Sequence, residues 1–118
     1  MADVLFLLAP GFADAKAGPG EFYCAPCATV SGLLAYYPHL REKVEVKSIA
    51  FPRPRAEVVE LLGGPDHPGC PVLVLDDASH APDGVTVHTA KTGKRYLDGP
   101  TDIGNYLAAR HRVSRPHP

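Results

Sequence analysis

The sequence predicts a single α/β domain in which a central mixed β-sheet has helices on both faces. Two short apolar runs, Val4 to Ala9 and Val72 to Leu75, lack the alternation of a half-exposed strand and are typical of strands buried on both sides. The apolar patterns along the chain give the order β-α-β-α-β-(β)-α. Right-handed crossovers would then place the first two strands parallel and the helices on both faces of the sheet.

Length and charge narrow the classes of function. The chain of 118 residues fits one domain, which we expect over residues 1–112, with a C-terminal tail over residues 113–118. The net charge of −1 favours neither nucleic acid nor a membrane surface as a partner. The run from Val4 to Ala9 is too short for a transmembrane helix, and Asp3 replaces the basic start of a signal peptide. We therefore expect a cytoplasmic protein.

The first helix is predicted from about Cys27 to Tyr37. Apolar residues with i, i+3, i+4, i+7 spacing form its buried face, and these are Val30, Leu33, Leu34 and Tyr37. Pro38 ends the helix. Gly32 lies inside it and costs about 1 kcal/mol relative to alanine, so we interpret it as a point of close packing.

A second βα unit follows. The strand is predicted from Val44 to Phe51, and the prolines of the next four residues, 52–55, end its hydrogen-bonded ladder. Pro54 is suited to the first turn of the second helix. Gly63 and Gly64 end that helix.

The last part of the domain has weaker patterns. One or two short strands are expected between Val85 and Leu97. Thr101 is predicted to cap a final helix that runs from Asp102 to about His111. Gly104 inside this helix again indicates tight packing. The segment from Val113 to Pro118 has little means to form regular structure.

Cys24 and Cys27 are the candidate catalytic residues. They lie three positions apart at the start of the first helix, where unpaired N–H groups and the helix dipole favour a thiolate at Cys24. Cys27 lies one turn further on, on the same side, and would resolve a mixed disulfide. The same spacing also suits two metal ligands or two cysteines without thiol chemistry. In a cytosolic chain, CxxC is more often catalytic or metal-binding than a structural disulfide.

The CxxC motif, residues 24–27, resembles the dithiol of the thioredoxin and glutaredoxin superfamily, and residues 69–75 are similar to its cis-proline loop and following strand. The resemblance implies a thioredoxin-like fold and thiol–disulfide exchange on a protein or small-thiol substrate. It also implies a cis peptide bond at Pro71 that faces the dithiol. The backbone of Cys70 would then pair with the substrate.

Two further resemblances extend this interpretation. The segment from Asp98 to Asp102 is similar to the part of glutaredoxins and glutathione transferases that holds glutathione. This implies that Thr101 and Asp102 contact the substrate and that glutathione is a co-substrate. The chain also resembles a small bacterial family of thioredoxin-like domains with no assigned function, through residues 22–27, 32–34, 51–55, 71–75 and 116–118.

Other residues near these motifs have two interpretations each. Arg53 and Arg55 suit a site for an anion or carboxylate, and they equally suit a solvated turn or a salt bridge. Tyr23 either lines the pocket beside Cys24 or packs against its neighbours. Cys70 is either a small residue in a tight loop or a third thiol of the site.

No resident metal or cofactor is predicted. The alternative to redox chemistry is a metal or iron–sulfur module that uses Cys24, Cys27 and Cys70, with a fourth ligand such as His67. A third hypothesis is a non-catalytic interaction domain that kept the fold.

Overall fold

The computed structural model describes residues 2–64 and 66–118, which form a five-stranded mixed sheet and four helices. In chain order, the elements are β1 (Asp3–Leu8), α1 (Ala25–Tyr36), α2 (Leu40–Lys43), β2 (Val44–Ile49), α3 (Ala56–Leu62), β3 (Val72–Val74), β4 (His88–Thr89), β5 (Arg95–Asp98) and α4 (Pro100–His111). The strand order is β2-β1-β3-β5-β4. The β1–β2 pair is parallel, as predicted, and the other pairs are antiparallel.

Helices cover both faces of the sheet, which confirms that part of the prediction. Successive side chains of a strand point to opposite faces. Leu5 and Leu7 of β1 pack in one buried cluster with residues of α1 and α4. Phe6, between them, packs in a second cluster with Val58 and Leu62 of α3.

The start of the last helix differs from the prediction. Thr101 is not the N-cap, because α4 already begins at Pro100 and Gly99 is the cap residue. Gly99 has φ of 84°, and its N–H donates a hydrogen bond of 3.2 Å to the carbonyl of Pro71. Pro100 is suited to the first helical position because it needs no N–H there. This contact ties the start of α4 to the loop before β3.

The second helix also begins later than predicted. It starts at Ala56, with Arg55 as its cap residue, and Gly63 follows its last turn. Pro54 lies outside the helix, and the Arg53–Pro54 peptide bond is cis. The four-residue helix α2 has no counterpart in the prediction, because one helical turn is too short to show a periodic pattern.

The two helical glycines have opposite environments. The prediction of close packing at Gly32 is wrong: a Cβ placed there meets no atom within 4 Å. At Gly104 the prediction is confirmed, because a Cβ would lie 2.6 Å from Cγ of Pro116. The C-terminal segment has no regular structure, yet it packs on the domain. Val113 is buried, and Ser114 Oγ accepts a hydrogen bond of 2.8 Å from the Tyr37 hydroxyl.

None of the helices in the described residues is long and apolar enough to cross a membrane.

Candidate active site at the start of helix α1

Cys24 and Cys27 are joined by a disulfide at the start of α1. Cys24 is the cap residue, with extended backbone, and its Sγ accepts a hydrogen bond of 3.1 Å from the N–H of Cys27. Pro26 occupies the first turn, where a missing N–H breaks no helical hydrogen bond. Cys24 is half-buried and Cys27 is buried. Cys24 is therefore the more accessible residue of the pair.

Aromatic contacts anchor the long loop that leads to Cys24. Phe12 and Phe22 form an antiparallel bridge across the loop. The ring of Phe12 also stacks on Phe51, after β2, with 4.3 Å between ring centroids. The loop is therefore tied to the sheet just before the CxxC motif.

The loop before β3 lies against the cysteine pair. Cys24 Sγ is 3.7 Å from the carbonyl oxygen of Cys70. The Cys70–Pro71 peptide bond is cis, as the resemblance implied. Through the Gly99–Pro71 hydrogen bond, this loop also contacts the start of α4, where Thr101 and Asp102 form part of the first turn. The structure thus brings three of the predicted site segments together.

Arg55 lies behind Cys70. Its side chain is buried, and Nε and Nη2 donate hydrogen bonds of 3.0 and 2.8 Å to the carbonyl of Phe51. Nη1 is 4.0 Å from Cys70 Sγ. Among the described residues, no carboxylate forms an ion pair with Arg55. Arg55 therefore supports the loop that carries Cys70, rather than facing solvent.

The Cys70 thiol stays protonated in this setting. Burial raises the pKa of Cys70, and this effect outweighs the opposing attraction of the Arg55 and Arg53 guanidinium groups. Burial also lowers the pKa of Arg55. A guanidinium and a thiolate both lose hydration when they are buried. Their attraction across the 4.0 Å between Arg55 Nη1 and Cys70 Sγ offsets only part of that loss.

His67 and Arg53 hold the turn between α3 and β3. Arg53 Nη1 donates a hydrogen bond of 2.6 Å to the carbonyl of His67. The buried His67 ring accepts the Arg55 N–H at Nε2, 3.1 Å away, and its Nδ1 lies 3.0 Å from the carbonyl of Pro68. Nε2 must be the unprotonated nitrogen and Nδ1 the donor. Both ring nitrogens are engaged with the backbone, which makes His67 a structural residue.

The described ranges, 2–64 and 66–118, contain no group of three His, Cys, Asp or Glu side chains arranged to hold a metal ion.

Two concave surfaces flank α1. A groove of about 750 Å³ lies between α1 and α4, and its walls include Ala28 and Thr101. A cleft of about 400 Å³ lies on the other flank, between α1 and the β1–β2 part of the sheet. Cys24, Cys27 and Tyr23 line this second cleft, so Tyr23 lies in a pocket wall beside the cysteine pair.

Arg41 of α2 also lines the cleft, together with Ser31 and Ser48, and the sequence patterns did not single out these three residues. They come from three different elements. Only the packing of α2 and β2 beside α1 brings them together.

The fold and this site define a mixed α/β domain that carries a CxxC disulfide at a helix N-terminus. The chain belongs to the family described as protein of unknown function (DUF3088), whose profile matches residues 2–115. This confirms the expectation of an uncharacterised family. No curated protein and no solved structure matches the chain significantly.

Proposed function

We propose that this protein is a cytoplasmic thiol–disulfide oxidoreductase of the thioredoxin-like class, with Cys24 as the nucleophile and Cys27 as the resolving thiol. The observation that carries the proposal is the hydrogen bond from the Cys27 N–H to Cys24 Sγ at the start of a 12-residue helix. The same amide and the helix dipole would stabilise a Cys24 thiolate after reduction.

The architecture supports a thioredoxin-like assignment. A mixed sheet has helices on both faces, the CxxC motif lies after β1 at the start of α1, and a proline loop precedes the antiparallel strand β3. These are the features that the resemblance to thioredoxins and glutaredoxins implies. The contact between Cys24 Sγ and the Cys70 carbonyl supports a binding mode in which a substrate would meet both.

The proposed exchange has two steps. Cys24 loses its proton to form the thiolate, which attacks one sulfur of a substrate disulfide. The S–S bond breaks, and the departing sulfur takes up that proton. The Cys27 thiol then loses its proton and attacks Cys24 Sγ, which releases the second substrate thiol. The protein loses two electrons and two protons, the substrate gains them, and the Cys24–Cys27 disulfide forms.

The substrate would lie along the backbone of Cys70 and Pro71. Pairing of an extended peptide with a backbone segment is a common mode of recognition, which suits a protein disulfide. Thr101 and Asp102 lie at the far side of this loop, in the first turn of α4, where a co-substrate such as glutathione would contact them. Arg53 is exposed and would meet an anionic end, whereas Arg55 is buried behind the loop.

Site-resolved alkylation of the reduced protein tests this proposal. We expect Cys24 to react with iodoacetamide faster than N-acetylcysteine does at neutral pH. The pH at which the alkylation rate of Cys24 is half-maximal should lie below about 8.5, the pKa of a free thiol. Cys70, in the same chain, serves as an internal reference. After addition of oxidised glutathione, mass spectrometry should show the Cys24–Cys27 disulfide in the native sequence and a trapped mixed disulfide in Cys27→Ser.

The proposal fails if Cys24 alkylates no faster than N-acetylcysteine and no Cys24–Cys27 disulfide forms. Elemental analysis and an absorbance spectrum of anaerobically purified protein complete the test. A stoichiometric metal bound through the three cysteines would favour the metal module instead.

A further inference from the structure

The cleft between α1 and β2 has the size and walls of a small-molecule site. Its volume of about 400 Å³ lies within the usual range of about 300–1,000 Å³ for ligand pockets. Apolar side chains from both parallel strands, Leu7, Leu8 and Val46, form much of its wall. The remaining wall includes Cys24 and Cys27, so a molecule bound there would touch the reactive pair.

The charge of the cleft comes from Arg41. Among the residues that the structure describes, Arg41 is the one charged side chain in the wall, and no ion pair there involves it. Ser31 and Ser48 add two hydroxyls. A free guanidinium beside an apolar surface suits a carboxylate, which it binds through parallel N–H donors. The cleft therefore combines an anion contact, an apolar floor and a reactive sulfur pair.

We propose that this cleft binds a small organic disulfide that carries a carboxylate, with the carboxylate on Arg41 and the sulfur–sulfur bond against Cys24. The inference rests on the proposed exchange chemistry and assigns it a substrate class. Among the residues that the structure describes, none from the Pro71 loop or from α4 lines this cleft. A small acid would thus reach the dithiol without lying along the backbone of Cys70 and Pro71, which is the place proposed for an extended substrate.

Each turnover follows the two steps given above. The Cys24 thiolate displaces one carboxylate-bearing thiol, and Cys27 displaces the second. With pre-reduced protein, the dithiol supplies both electrons and both protons, so a single turnover needs no other reductant.

Three symmetric disulfides of similar size test the charge preference: 3,3′-dithiodipropionate, bis(2-hydroxyethyl) disulfide and cystamine, which are anionic, neutral and cationic. We expect pre-reduced protein to be oxidised fastest by the dicarboxylate. Arg41→Gln should slow that reaction by roughly tenfold, as expected for loss of a hydrogen bond to a charged group, and should leave the neutral disulfide within about twofold. Lys43→Gln is the matched control, since Lys43 belongs to the same helix but lies outside the cleft wall.

A second measurement separates this inference from the proposed function. In Cys24→Ser, which cannot start exchange, the monosulfide 3,3′-thiodipropionate should shift the NMR amide signals of Val46 and Ser48. Arg41→Gln in that background should abolish the shifts. Equal rates for all three disulfides, with Arg41→Gln no different from Lys43→Gln, would overturn the inference and leave the redox function standing. If the protein binds thiodipropionate but is oxidised by none of the disulfides, the redox function is overturned, while the cleft remains a binding site for a carboxylate.

Discussion

Cys70 lies beside the cysteine pair, but its backbone and its thiol have different surroundings. Its carbonyl contacts Cys24 Sγ, whereas its own sulfur is turned toward Arg55, 4.0 Å from Nη1. Burial raises its pKa, and the guanidinium recovers only part of the lost hydration energy. The residue therefore contributes backbone to the site and keeps its thiol protonated.

The first prediction concerns Arg55→Met, which keeps the apolar stem and removes the charge beside Cys70. Loss of the guanidinium should raise the pKa of Cys70 further and slow its alkylation at a fixed pH, by up to about tenfold if the shift reaches one unit. Arg53→Gln is the control and should have the smaller effect, because its influence on Cys70 is weaker. Site-resolved mass spectrometry measures both rates, with circular dichroism to verify folding. Faster alkylation of Cys70 in Arg55→Met would contradict this account.

At the scale of elements, α1 and α4 pack side by side on one face of the sheet, and each contains one glycine. Gly32 is exposed on α1 with open space around it, whereas Gly104 is buried on α4 beneath Pro116. Close packing therefore requires a glycine at position 104 but not at position 32. Periodicity places both glycines inside helices but says nothing of the C-terminal segment that crosses α4.

The second prediction compares alanine at the two positions. Gly32→Ala should raise the free energy of unfolding by about 0.5–1 kcal/mol, because alanine loses less backbone entropy in a helix. Gly104→Ala should lower it by about 1 kcal/mol, since the new methyl group overlaps Pro116 and displaces the segment that follows Val113.

Urea denaturation in the Pro116→Gly background tests the stated cause. With the proline ring removed, Gly104→Ala should stabilise the protein about as much as Gly32→Ala does. If Gly104→Ala remains destabilising there, the Pro116 contact is not the reason.

At the scale of the whole molecule, a buried polar cluster links the start of the chain to its last helix. Asp3 accepts hydrogen bonds of 2.7 Å from the N–H of Asp76 and the hydroxyl of Ser79, and it also accepts one from Tyr106 of α4. All of these donors are needed, because an unpaired carboxylate at this depth would be costly. Burial and the bond to Asp3 raise the pKa of Tyr106 to about 12.

The third prediction follows from that pKa. An unfolded tyrosine has a pKa of about 10, so the folded state holds the phenol proton more tightly. The contribution of Tyr106 to stability is therefore complete below pH of about 10 and is lost as the pH rises toward about 12. Tyr106→Phe should lower the free energy of unfolding at neutral pH by about 1–3 kcal/mol, since Asp3 loses a donor.

Urea denaturation of both proteins over this alkaline range measures the effect. The difference in stability between the native sequence and Tyr106→Phe should shrink as the pH approaches 12. Tyr36→Phe is a suitable control, because that side chain is exposed and should give no such trend. A constant difference across the range would contradict the assigned cause.

The sequence by itself determined the order of the elements apart from the short helix α2, the two strands buried on both faces, and the position of Cys24 and Cys27 at the start of a helix. These features follow from local patterns: apolar runs, helical spacing, and prolines that end strands and helices. Only the tertiary structure decided where α4 begins, what Gly104 touches, and that Arg41 shares a cleft with the cysteine pair. Each of these depends on tertiary packing: Gly99 hydrogen-bonds Pro71, Pro116 lies against Gly104, and Arg41 lines one cleft with Cys24. Such packing leaves no local pattern in the sequence.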